Sequence, residues 1–409
     1  MSNTNQEGYH DRLAQVKGIL KRYDLQSAKI TPLAYDESQS FPYNNFIYKL
    51  ELANPIQRKT LNEQGFSRYF TSGDLSENIS SFILRMSNPR AFGMNTNSFR
   101  LQNEVASMPL ETSEDLSWML MEYKKGIPLD EHFHSQPMQL KEGLISQISD
   151  LLAGLECCQL PQGITSHCGL SIDSYGHILS AQMTTVRGGP WTTYDAVWKA
   201  RLLNELQEAG KSSIIDSWKP NGVSKRLDLF INDGVSNVLS SANVASQEVK
   251  LIHGDLTMNN ILVDPSTNQL TALLDFDFSC ITHPAHEFFL SLHDLGCNVG
   301  GLDDEDSTKG LLPEALYSGN FDSDGPEEGK DLWTYSKILN ASMSKRGTRR
   351  PSDFPGIREL HHLAAIERLI CPFQLSVPFM IEQMSEKKLA EARIEAETFL
   401  VAQLEYFGY

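Results

Sequence analysis

Between Asp11 and Tyr23 the apolar residues Leu13, Val16, Ile19 and Leu20 fall on one face at helical spacing, which predicts a helix. The period then changes. Asn45–Leu52 (NFIYKLEL) alternates as a strand, and Ser80–Met86 (SSFILRM) reads as a second one, closed by Asn88-Pro89. The polar, turn-rich stretch between them is expected to form a long hairpin connection. Ser98–Met108 is expected to be a helix carrying Glu104. Trp118–Tyr123 is a short apolar run, expected as a buried strand that leads into a linker over Lys124–Pro128.

Beyond this point long helical patterns take over. Leu140, Leu144, Ile145, Ile148, Leu151, Leu152 and Leu155 recur at helical spacing. Further helices are expected over Thr193–Ala209 and Val223–Leu239, and the last over Glu382–Leu404. One small β insert interrupts them: Val249–Ile252, then Ile261–Val263 and Ala272–Asp275, with a turn at Asp264–Asn268. Strands come first and helices afterwards, so the expected class is a two-lobed α+β protein. The chain divides into a β-rich lobe over residues 1–121 and a mainly helical lobe over 122–409.

Charge narrows the partners. Fifty-two acidic residues against 35 Lys and Arg leave a formal net charge of −17. A nucleic-acid backbone or an anionic membrane would be repelled, so neither is expected as a partner. A nucleotide is still admissible, because magnesium and a few local cations can hold it. No apolar leader and no run of about 18 apolar residues is seen, so a cytoplasmic location is expected. The six cysteines form no CxxC pair, and adjacent Cys157 and Cys158 read as helix packing residues. The acidic stretches Asp303–Asp306 and Phe321–Glu328 read as solvated loops.

The chemistry concentrates between His253 and Asp277. The segment His253-Gly-Asp-Leu-Thr-Met-Asn-Asn260 places Asp255 five residues before Asn260, and Asp275 follows fifteen residues later in Leu273-Leu-Asp-Phe-Asp-Phe-Ser279. Phosphoryl transfer asks little of a protein: one carboxylate to orient or deprotonate the attacking hydroxyl, and hard oxygens to hold magnesium on the phosphates. Asp255 suits the first task, Asn260 and Asp275 the second. Asp277 is open to three roles: binding metal through water, touching substrate, or serving in packing or hydrogen bonding.

These motifs resemble the HGDxxxxN and IDFD-type motifs of the aminoglycoside phosphotransferase and choline kinase superfamily, relatives of protein kinases whose catalytic loop reads HRDxxxxN. The resemblance implies a bilobal, protein-kinase-like fold and ATP with Mg2+ as cofactors. It implies further that Arg85, in Phe82-Ile-Leu-Arg-Met86, is the phosphate-gripping cation where most members carry Lys, and that Glu104 pairs with it. The backbone around Glu122 and Tyr123 would bond the adenine edge. His253 would support the loop rather than react.

Two departures stand out. Ser40–Phe46 contains no glycine, and His283-Pro284 stands where an Asp-Pro pair is frequent. The expected function is an ATP- and magnesium-dependent kinase acting on a hydroxyl of a small molecule: an amino alcohol, an aminoglycoside-like sugar or a secondary metabolite. The alternative is a kinase fold reused for dehydration or cyclisation of a natural product, or as a ligand-binding pseudokinase. A rival for the phosphate cation is Lys49, with Arg85 then a surface residue on an edge strand.

Overall fold

A computed structural model of the chain describes residues 7–33, 43, 45–57, 78–88, 118–173, 177–300, 310–322 and 325–409. Helix α1, Tyr9–Arg22, buries Val16 and Leu20 as its spacing requires. It lies on a four-stranded antiparallel sheet of β1 (Ser27–Leu33), β2 (Asn45–Gln57), β3 (Asn78–Ser87) and β4 (Trp118–Glu122), in that order. Alternation splits the sheet into two faces. Phe46, Tyr48, Leu50, Phe82, Leu84, Met86, Trp118 and Leu120 form one core with α1. The other face carries Ile47, Arg85 and Met119 in one row, and Lys49, Ile83 and Met121 in the next. β1 was not expected; most of its residues are half-buried and two are exposed, so it carries no clean apolar period. The connection over residues 58–77 and the expected helix with Glu104 lie outside the described residues.

After β5 (Ile127–Pro128) and a short helix α2 (Leu129–Phe133), helix α3 runs over Met138–Cys157. Cys157 and Cys158 sit at its end exposed and unpaired, which corrects the packing role expected of them. The linker over Lys124–Pro128 ends in a strand, since Ile127 and Pro128 of β5 pair with Val263 and Leu262. A hairpin of β6 (Gly169–Ile172) and β7 (Ile178–Ala181) follows, also not expected. Next come α4 (Tyr194–Ala209), α5 (Val223–Leu229) and α6 (Val235–Ser241). A π-helical turn, Phe230–Gly234, divides what read as one helix over 223–239.

The β insert then forms. β8 (Lys250–Ile252) pairs with β11 (Cys280–Thr282), and β9 (Ile261–Asp264) pairs with β10 (Gln269–Leu273). The hairpin turns where expected, with the Asn268 amide donating to the Asp264 carbonyl at 2.8 Å. β10 ends at Leu273, so Asp275 stands outside the strand predicted for it.

Helices complete the chain: α7 (Glu287–Leu290), α8 (Leu311–Ser318), α9 (Lys330–Arg346), α10 (Ile357–Ile370), the short α11 (Phe373–Ser376) and α12 (Pro378–Glu382), and α13 (Glu386–Tyr406). A second, larger core joins them to α3, α4 and the insert. Phe321 belongs to that core, its ring 5.2 Å from Trp333, so the acidic stretch it begins is not wholly a solvated loop. Asp303–Asp306 lie outside the described residues. No helix among the described residues is long and apolar enough to cross a membrane.

Candidate active site

The loop from His253 to Asn260 leaves β8 and enters β9, while Leu274–Ser279 leads from β10 to β11. Strand pairing therefore lays the two loops side by side. The Leu274 amide donates to the Asn260 carbonyl at 2.7 Å. His253 Nε2 bonds the Leu274 carbonyl at 2.9 Å, so this nitrogen carries the proton and Nδ1 accepts the Asp255 amide at 3.2 Å. His253 is fully buried, and both ring nitrogens are engaged in shaping the loop. Gly254 takes a φ of +77°, and a Cβ there would stand 2.6 Å from the Phe278 carbonyl oxygen, so only glycine fits.

Asn260 Nδ2 donates to the Asp255 carbonyl at 2.8 Å and to its carboxylate at 3.1 Å. Burial pushes the Asp255 carboxyl above the ordinary aspartate range. Asn260 pulls it back down, and the negative charge of Asp275 raises it again. Asp275 sits in the left-handed region at φ 60°, with its side chain 37% exposed. Asn260, with its amide nitrogen turned to Asp255, and the open carboxylate of Asp275 are the hard oxygen donors that suit magnesium. Among the described residues no three or more His, Cys, Asp or Glu side chains form a metal cage. Two protein oxygens with phosphate oxygens and water are what magnesium ordinarily takes.

Arg85 stands over this pair. β3 lies between β2 and β4, and the residue is only 6% exposed, so it is neither on an edge strand nor on the surface. Its Nη1 lies 3.2 Å from Asp275 and its Nη2 2.5 Å from Asp277. Lys49, the rival cation, lies 3.7 Å from Glu51 and caps the Tyr123 ring at 4.1 Å. Glu104 and most of the Ser40–Phe46 loop are outside the described residues.

At the end of β4, the Tyr123 amide is taken by the Ser81 carbonyl at 3.1 Å. Successive residues of an antiparallel strand turn their backbone groups to opposite edges, so it is Glu122 whose groups face away from β3. Met119 and Met121 pack with Ile172 of the β6–β7 hairpin, an apolar bed beside this edge.

The loop has supports that the sequence reading missed. The Glu287 carboxylate accepts the His253 amide at 2.6 Å and the Gly254 amide at 3.2 Å. It also accepts the Ser291 hydroxyl, which in turn accepts the Leu256 amide at 2.8 Å. Asp294 accepts the Met258 amide. Their only sequence signal is a glutamate among apolar residues in His283-Pro-Ala-His-Glu-Phe-Phe289, because a buried carboxylate must find donors.

This geometry agrees with the comparison by sequence. The model of the phosphotransferase enzyme family matches residues 104–312, just over half of the chain. The chain belongs to that family. The match takes in both loops and Glu287, and begins after Arg85. It makes the chain a small-molecule phosphotransferase, a kinase in class, with the bilobal kinase-like fold expected. A search of curated proteins by sequence gives no match.

Among solved structures, the chain is similar to a thermostable mutant of aminoglycoside phosphotransferase APH(4)-Ia in complex with AMP-PNP and hygromycin B. The identity is 12%, the coverage 96% of this chain and 97% of that one, and the TM-score 0.45. It is also similar to ADP-bound aminoglycoside phosphotransferase APH(2'')-Ib, at 11% identity over 95% and 98% with a TM-score of 0.47. Plasmodium vivax ethanolamine kinase is similar at 13% identity over 88% and 79%, with a TM-score of 0.38.

This phosphotransferase also has a cavity of about 670 Å3 among its C-terminal helices, lined by Arg201, Glu205, His286, Phe289, Glu367 and Phe399 among others. No residue of either loop lines it. α7 separates the two, with Glu287 on the loop and Phe289 on the cavity.

Proposed function

We propose that the chain transfers the γ-phosphoryl group of ATP, with magnesium, to a hydroxyl of a small molecule: an amino alcohol, an aminoglycoside-like sugar or a secondary metabolite. The observation that carries this reading is the Asp255 carboxylate held by Asn260 in a rigid loop, with Asp275 beside it and Arg85 above. Asp255 orients the acceptor hydroxyl and takes its proton as the acceptor oxygen bonds to phosphorus and the bond to the β-phosphate oxygen breaks. Its raised basicity suits that task, since a base works best when its pKa approaches the working pH.

Asn260 and Asp275 are the oxygens to hold magnesium, which when bound neutralises charge on the phosphates. Arg85 steadies the phosphates, with Glu104 as an added partner. The adenine edge would be read by backbone groups of Glu122, with Tyr123 holding the strand end in place. In this reading residues 1–121 form the nucleotide-side lobe, and 122–409 carry the catalytic loop and the acceptor side. The net charge of −17 supports a small molecule over a nucleic acid as partner. The unpaired cysteines support a reducing, cytoplasmic setting.

The test begins with thermal unfolding at rising Mg-ATP. A hundredfold excess over Kd stabilises a binder by about 2.7 kcal/mol. ATP consumption is then screened against hydroxyl-bearing amines and metabolites. No stabilisation and no ATP turnover with any acceptor would overturn the proposal.

A further inference from the structure

Arg85 and Asp277 are both buried, with side-chain exposures of 7% and 2%, and lie 192 residues apart on different lobes. Asp277 follows Asp275 by two residues, in the 3-10 turn Phe276–Phe278. The turn sends the two carboxylates to different environments. Asp275 stays partly open, whereas Asp277 faces the guanidinium from within the protein. A carboxylate so placed has no room for a hydrated metal, which removes the water-bridged role left open for it.

We infer that Asp277 is the positioning residue for Arg85, and that holding two carboxylates at once is why this chain carries Arg rather than Lys at that point of β3. This rests on the phosphotransfer reading above. The fork of a guanidinium presents separate nitrogens in a fixed plane, one to each acid. An ammonium is a point charge with three rotatable donors on a flexible stem, so it does not fix the direction of both contacts as the planar fork does. Asp277 therefore sets the angle at which the cation meets the phosphates. Through the other nitrogen, the β3 strand is tied to the proposed metal ligand Asp275. The cation and the metal site are thereby placed as one unit.

The test is calorimetric binding of Mg-ATP and of adenosine to wild type, Asp277→Asn, Arg85→Lys and the double variant. Asp277→Asn is expected to weaken Mg-ATP about 10- to 100-fold, the range of a lost charge-assisted bond, with adenosine within about twofold. Arg85→Lys is expected to do the same, and the double variant to be no weaker than either single one, because both changes break one unit.

Adenosine binding also reports that each variant is folded. If Asp277→Asn is too unstable to bind it, Arg85→Lys, which keeps the charge, decides alone. Mg-ATP affinity unchanged in Arg85→Lys, equal losses for ATP and adenosine, or additive losses in the double variant would overturn the inference while leaving the proposed function standing. Wild type that binds no Mg-ATP overturns both.

Discussion

The loop below the site and the cation above it are held by different kinds of contact. Below, the amides of His253, Gly254, Leu256 and Met258 are taken by Glu287, Ser291 and Asp294, which lie 33 to 36 residues further along. Above, Arg85 meets Asp275 and Asp277 across 190 and 192 residues and from another sheet. The first arrangement fixes backbone, and therefore the position of Asp255. The second fixes a side chain through two charge-assisted hydrogen bonds, and depends on how the lobes meet. The lower region is thus tied through its backbone, whereas the upper one, the proposed grip on the nucleotide, is tied through side chains alone.

Removing the base's reactive group is expected to have the largest effect. Asp255→Asn should lower kcat about 10²- to 10⁴-fold while Mg-ATP affinity stays within a few-fold. Steady-state kinetics with calorimetry check this, and near-wild-type turnover would take Asp255 out of the mechanism.

Next comes the support under it. Glu287→Ala strips the acceptor from two buried amides and a buried hydroxyl, and should cost about 3–5 kcal/mol in urea unfolding. A loss under about 1 kcal/mol would mean the loop does not depend on this anchor, and the contrast between the two regions would fail.

Asp275→Ala acts at the seam between them. It should reduce Mg-ATP affinity about 10- to 100-fold, near 1.4–2.8 kcal/mol, and make binding indifferent to magnesium. If magnesium still strengthens ATP binding as in wild type, the metal ligand is elsewhere.

The smallest effect belongs to a residue in neither region. Burial and the charge of Glu367 raise Glu205 to about 7 from 4.5. Its proton is thus kept in the folded chain at a pH where the unfolded chain has lost it. The stability it contributes is fully present below about 4.5, and disappears as pH rises through about 7. Glu205→Gln should therefore gain about 1–2 kcal/mol at pH 8 relative to pH 5, after screening by the water that reaches it. Turnover should not change. Equal denaturation midpoints for variant and wild type at both pH values would show that the carboxyl is not perturbed.

Parts of this picture were readable along the chain. α1, α3 and α4 declare themselves by apolar spacing, and β2 by alternation, because each buries one face. β1 and the β6–β7 hairpin do not, since Ser27–Leu33 is half-exposed and Leu179 is 46% exposed. The vicinal Cys157 and Cys158 were misjudged because nothing local tells the last turn of a helix from its buried middle. Glu287 went unnoticed because a buried acid is recognised by its donors, and these are backbone amides on a distant loop. Tyr123 was offered to the adenine edge with Glu122, yet strand pairing gives its amide to Ser81.

The sequence by itself determined the reaction class. Phosphoryl transfer needs a carboxylate and two hard oxygens at set spacing, and Asp255, Asn260 and Asp275, the residues proposed for these roles, fall within a single short stretch. Only the tertiary structure decided which groups Arg85 meets. A charge acts over a few ångströms of space, and nothing in the spacing of residues 85 and 277 says that the two lobes bring their side chains to 2.5 Å.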